Sequence, residues 1–129
     1  MKPEFHLEAF EERKETMIKW GVEVRGVENS QRVIGDNASK AITELLSAYL
    51  HKKRKIDEGM QLNHTWFKSE KVSEKLPEFE NKTNIVVKMI GLERLCERLS
   101  YGIPKPVEKT KEALMLFEGL ETEIKELMR

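Results

Sequence analysis

The sequence predicts an all-α fold, a four-helix up-and-down bundle forming a single helical domain over residues 1–129. Three observations predict it. Apolar residues recur at spacings of three and four along separate stretches, which is the period of an amphipathic helix. Helix-stopping Gly and Pro residues (Gly21, Gly59, Gly102, Pro104, Pro106) fall between those stretches. Only Val22–Val27 alternates apolar and polar residues, and a lone strand has no partner, so it reads as a connector.

The first helix is expected over about Pro3 to Trp20. Pro3 suits a first turn, where its missing N–H goes unused. Phe10, Met17 and Ile18 share a face, and Gly21 is the expected stop. The second helix has a candidate N-cap at Asn29 or Ser30 and runs to about Ile56, with Gly35 and Asp36-Asn37 as an alternative start. Ala38, Ala41, Ile42, Leu45, Leu46, Ala48, Tyr49, Leu50 and Ile56 cover more than half of its circumference. A helix that apolar must be largely enclosed by protein, and its alanines allow close approach of a neighbour.

A long irregular loop is expected over about 57–73, containing Gly59, Asn63-His64 and the aromatic pair Trp66-Phe67. Long ordered loops are uncommon in small domains and often carry function. The third helix is expected from Pro77 to Ser100, with Ile85, Met89, Leu92, Cys96 and Leu99 as its core stripe. Gly102, Pro104 and Pro106 enforce the next turn. The fourth helix runs from about Val107 to Met128, with Ala113, Leu114, Phe117, Leu120, Ile124 and Leu127 at helical spacing.

Composition narrows the function classes. The 129 residues suffice for one domain with a closed core. No run of about 18 apolar residues exists, so no membrane span is expected. The segment Met1–Glu8 lacks a basic start followed by an apolar run, so no secretion signal is expected. Cys96 is the single cysteine, so no intrachain disulfide can form and a reducing cytoplasm is the expected location. Lys plus Arg equals Asp plus Glu, 23 against 23, which argues against coating nucleic acid by bulk charge.

Candidate site residues come from two places. Asn37, Lys40, Glu44, Ser47 and His51 fall on one stripe of the second helix. Lys40 could meet a phosphate, Glu44 could orient or deprotonate a group through water, and His51 could relay a proton. The same stripe also reads as a solvated edge with a Lys40–Glu44 pair worth about 0.2–0.5 kcal/mol. In the loop, buried Trp66 and Phe67 would hold Asn63 and His64 rigidly, although His64 could simply bond a loop carbonyl.

Other constellations are weaker. Should His51 and His64 face each other, an acid/base pair or a metal would become conceivable, but their spacing does not match metal motifs, and no metal or cofactor is expected. The basic run Lys52-Lys53-Arg54-Lys55 could meet phosphate oxygens, yet complementing the helix dipole explains it equally. Glu93 and Glu97, flanked by Arg94 and Arg98, read as a surface charge lattice rather than magnesium ligands. No Gly-rich phosphate loop, Gly-x-Ser-x-Gly or Cys-x-x-Cys is present, and Cys96 reads as a packed thiol.

The segment Asp36-Asn37-Ala38-Ser39-Lys40-Ala41-Ile42-Thr43-Glu44-Leu45-Leu46-Ser47-Ala48-Tyr49-Leu50, with the chain length and the four helices, resembles HEPN-type domains. These are small helical bundles of prokaryotic toxin–antitoxin and nucleotidyltransferase-associated systems. RNA-cutting members carry an Arg-x4-6-His motif. Here Arg54 precedes His64 with nine residues between, and no other Arg stands suitably before His51 or His64, so the nuclease motif is absent. The resemblance then implies a homodimerising helical bundle that binds a nucleotide, RNA or a protein partner. The expected function is a non-catalytic HEPN-like module with no catalytic residue assigned. The alternative is an RNase or nucleotide hydrolase using His51 or His64 with Lys40 and Glu44.

Overall fold

The computed structural model describes residues 2–129, and every regular element among them is helical. The helices are α1 (Pro3–Glu15), α2 (Gln31–Lys52), the short α3 (Val72–Lys75), α4 (Lys82–Ser100) and α5 (Val107–Met128). Side-chain contacts give their directions. Arg13 meets Asn37 and His6 meets Glu44, so α1 and α2 run antiparallel. Gln31 reaches the Leu99 carbonyl while Ile42 faces Met89 and Leu92, so α4 is antiparallel to α2. Lys52 meets Met128 and Gln31 meets Lys105, so α5 runs parallel to α2. The result is the expected up-down-up-down arrangement, with α2 packed against α1, α4 and α5. No helix among the described residues is long and apolar enough to cross a membrane.

The central place of α2 follows from its sequence. Ile34, Ala38, Ala41, Ile42, Leu45, Leu46, Ala48 and Leu50 have no exposed surface at all. Each Ile or Leu so enclosed contributes about 1.5–3 kcal/mol. The opposing surfaces are Phe10 of α1 with Met17 of the segment that continues it, Ile85, Leu92 and Leu99 of α4, and Ala113, Phe117, Leu120 and Ile124 of α5. Phe10 and Phe117 stack with centroids 6.0 Å apart and close the side of the bundle where α1 approaches α5.

Several boundaries differ from expectation. The first helix does not stop at Gly21. It continues through a π-helical segment, Thr16–Glu23, and the chain turns only at Gly26, whose φ of +84° is a left-handed conformation that glycine adopts freely. Gly21 is used for proximity instead, since a Cβ there would lie 3.3 Å from the Val33 side chain. Ser30 does precede α2, but its hydroxyl donates to the Gly26 carbonyl (2.7 Å) and Asn29 donates to the Arg25 carbonyl (3.0 Å). Both polar residues therefore finish the preceding helix rather than cap the next one. Gly35 lies inside α2, so the alternative start at Asp36-Asn37 is not used.

The second helix ends at Lys52 rather than Ile56, with Arg54 in a left-handed conformation (φ 55°). The stretch 57–73 is not wholly irregular. Asn63 caps a 3-10 turn, His64–Lys68, by accepting the Thr65 N–H at 2.9 Å, and α3 begins at Val72. Phe67 is fully enclosed and anchors the connector as expected, whereas Trp66, expected to be buried with it, is only half-buried and lies beneath the Lys75 ammonium. The third long helix starts at Lys82 rather than Pro77. Lys82 Nζ donates to the carbonyls of Ser73 and Leu76, both at 3.0 Å, and so ties the end of α3 to the start of α4.

Candidate functional site

The polar stripe of α2 divides into two parts. Toward the N-terminal half, Lys40 and Glu44 are partly exposed and open onto a cleft. Its opposite wall is the connector at Leu62, Asn63, His64 and Thr65, and α1 adds Arg13. The cleft has a volume of about 370 Å³. Four of the seven candidate residues, Lys40, Glu44, Asn63 and His64, thus share one space. Asn37 stands beside it and orients Arg13, accepting from Nη1 at 3.2 Å while donating to the Val33 carbonyl at 2.9 Å.

Ser47 and His51 do not line this cleft. Ser47 is buried, and its hydroxyl donates to the Thr43 carbonyl (2.9 Å). His51 is buried, with Nε2 3.0 Å from the Met60 carbonyl, and its ring stacks on His6 at a centroid distance of 5.2 Å. His6 in turn gives Nδ1–H to Glu44 at 2.7 Å, leaving its buried Nε2 without a partner. His51 and His64 therefore belong to different clusters, and His51 touches the cleft only through His6 and Glu44. Burial lowers the His51 pKa, with the His6 ring adding to the effect and the Met60 carbonyl and Glu58 opposing it.

His64 has the partner that a working imidazole needs. Its Nδ1 lies 2.9 Å from Glu93 Oε1. Glu93 is only 3% exposed, which corrects its expected place in a surface charge lattice, whereas Glu97 is exposed and pairs with Lys68. The buried carboxylate accepts the Nδ1–H, fixing the tautomer that leaves Nε2 as the free ring nitrogen. A second, smaller cavity of about 80 Å³ lies between α2 and α4, with His64 also in its wall. Lys40 and His64 line both spaces, and Asp36, Ser39, Lys68, Glu93, Glu97 and Tyr101 line the smaller one.

Cys96 also borders the smaller cavity but is 2% exposed, and burial pushes its thiol up to about 12. It is a packed thiol, as its place on the core stripe suggests. Three residues that matter were not singled out from the sequence in their observed roles: His6, Arg13 and Glu93. A signal existed for the first two, because His6, Phe10, Arg13 and Met17 recur at spacings of four, three and four. That spacing puts them on the face of α1 and its π-helical continuation that meets α2. Glu93 continues the line of Val86 and Ile90 on α4, but its flanking arginines point the other way.

No family model, characterised protein or solved structure matches this chain. The chemistry of the cleft rests on its own residues. It offers two cations, Arg13 held by Asn37 and Lys40, an imidazole backed by a carboxylate, a loop amide at Asn63 and the carboxylate of Glu44. Such a set suits an anion that also carries a hydroxyl or amide donor.

Proposed function

We propose that this chain is a non-catalytic HEPN-like helical module that binds a phosphate-bearing ligand, a nucleotide or RNA, in the cleft of Arg13, Lys40, Glu44, Asn63 and His64. One observation carries the reading: residues from α1, α2 and the 62–65 connector bring two cations and an imidazole into one open space of about 370 Å³. Phosphate oxygens are met well by guanidinium and ammonium donors. Dimerisation is part of the reading. Trp20, Val24, Tyr101 and Ile103, at the end where α1 and α4 finish, are each more than half exposed and offer apolar surface to a second copy or a protein partner. A cytoplasmic location fits the single thiol.

Thermal shifts with ATP, GTP and a short RNA test the binding. Stabilisation by at least one of them, lost in the Arg13→Ala/Lys40→Ala double variant, is expected. An unchanged shift in that variant would place the ligand elsewhere. A second reading, an RNase or nucleotide hydrolase, is favoured by the contact between Glu93 and His64. There His64 Nε2 would move the proton, Lys40 would stabilise phosphate charge and Glu44 would orient a water. On this reading hydrolysis of RNA or GTP disappears in His64→Ala and falls by about 10²-fold or more in Glu93→Gln. Absence of any hydrolysis in the unaltered protein removes it.

A further inference from the structure

The expected pair between Lys40 and Glu44 does not form. Neither Lys40 nor Arg13 meets a carboxylate among the described residues, and Glu44 turns one oxygen, Oε2, to His6 Nδ1 at 2.7 Å. Its other oxygen has no partner among the described residues, and Glu44 lines the cleft. A train of contacts holds this carboxylate from behind. His51 is fixed at 3.0 Å from the Met60 carbonyl, its ring stacks on His6, and His6, itself 4% exposed, makes its one hydrogen bond to Glu44. The buried His6 Nε2 is left unpaired, so an apolar side chain would fill that place with less penalty. What the imidazole alone supplies is the hold on Glu44. On the opposite wall, Asn63 commits its Oδ1 to the Thr65 N–H at 2.9 Å and the Thr65 hydroxyl at 2.8 Å. Only its amide N–H donors remain for a ligand.

Building on the phosphate-binding reading above, we infer that Glu44 and Asn63 form a sugar-hydroxyl subsite that selects ribose over deoxyribose, with His6 as the residue that positions Glu44. A hydroxyl both donates and accepts, so it answers a carboxylate oxygen and an amide N–H together. An ammonium group would leave the amide unmet, and a carbonyl would leave the carboxylate unmet. Lys40 and Glu44 stand one helical turn apart, a spacing of about 5–6 Å between Cβ atoms. The hydroxyl therefore lies close to the phosphate rather than at the far end of the ligand. The ribose 2′-hydroxyl has that place in a free nucleotide and in an RNA strand alike, and it is what deoxyribose lacks. The phosphate lies with Arg13 and Lys40, whose charges offset its repulsion by Glu44.

The test is calorimetric titration of the full chain with ribose 5-phosphate, 2-deoxyribose 5-phosphate and inorganic phosphate. The ribose ester is expected to bind about tenfold tighter than the deoxy ester or better, because the latter leaves the Glu44 oxygen desolvated and unmet. Glu44 is partly exposed and within a helix, so Glu44→Ala should fold normally. It is expected to bring the two esters to the same affinity, while inorganic phosphate, relieved of a neighbouring negative charge, binds at least as tightly as before. His6→Leu should reduce the ribose preference at least threefold with phosphate binding kept, and His6→Asn, which places an amide donor near the former Nδ1, should restore it. A loss of fold would instead weaken all three probes together. Equal binding of the two esters in the unaltered protein, or a preference that survives Glu44→Ala, overturns the hydroxyl subsite while phosphate binding upholds the cleft. A full preference in His6→Leu overturns the positioning role. Failure of all three probes overturns subsite and cleft together. An RNA hexamer binding tighter than both its DNA counterpart and ribose 5-phosphate assigns the site to an RNA strand, and ribose 5-phosphate binding tighter than that hexamer assigns it to a free nucleotide; either upholds the ribose assignment.

Discussion

A carbonyl oxygen can only accept, so the contact between His51 and Met60 holds the proton on Nε2 of that imidazole. Charging the ring would place a cation in a buried position against the His6 ring, and the folded pKa is accordingly lowered, burial first. The unfolded chain therefore binds the extra proton more readily than the folded one. The stability from neutral His51 is complete above the unfolded value of about 6.5 and is lost as the pH falls through it toward the folded value. The melting temperature should decline between about pH 7.5 and 5, and the decline should flatten in His51→Gln, which keeps a donor for Met60. An unchanged slope would show that other groups set it. Cys96, held near 12 by burial, should resist thiol reagents in the native protein and react at once in denaturant. At this scale the sequence was a partial guide. Lys40, Glu44, Asn63 and His64 carry chemistry in their residue type, but the partner that orients His64 is Glu93, a surface glutamate by its neighbours in sequence and a buried one by its place in the bundle.

Among elements, glycines separate packing from propensity. Gly35 sits inside α2, where alanine would ordinarily gain about 1 kcal/mol. Its Cβ would lie 2.8 Å from the Ser100 backbone nitrogen and 2.9 Å from Leu99 Cβ, neither of which can move without displacing α4. Gly35→Ala should cost about 1–3 kcal/mol net. Gly119, within α5, has nothing within 4 Å of the same atom, and Gly119→Ala should stabilise by about 0.5–1 kcal/mol. Chemical denaturation of the two variants checks both signs, and a stabilised Gly35→Ala would refute the close approach. Helix existence was legible at every long segment because the apolar period is strong. The ends were less so. Gly21 looks like a stop but serves as a contact point against Val33, and Ser30 looks like a cap but donates to the preceding helix. Those roles depend on what lies opposite, which spacing along one helix does not encode. By contrast, α5 begins and ends where expected, because Pro106 stands before it and its apolar stripe persists to its final turn.

At the scale of the whole molecule, α2 is the shared neighbour of three helices, and the cleft exists because α1 and the connector reach it from different sides. Residues as far apart as Arg13 and His64 meet there, so the site was visible in the sequence as types and not as an assembly. Light scattering at micromolar concentration should return twice the chain mass of 15.1 kDa, and Trp20→Ser/Tyr101→Ser should shift it toward the monomer. A monomer in the unaltered protein would end the dimer proposal.

The connector from Lys53 to Asn81 contributes one wall of the cleft but is pinned to the bundle chiefly by Phe67, Val72, Leu76 and Phe79, with Lys82 as its tether. Its release sacrifices a handful of apolar contacts, whereas release of α2 sacrifices the core. Amide protons at 63–68 should accordingly exchange with deuterated solvent long before those of 41–50, and a nucleotide bound in the cleft should slow the first set alone. The cleft is in effect a door whose hinge stands outside the masonry, so access can be granted at an energy far below that of collapse.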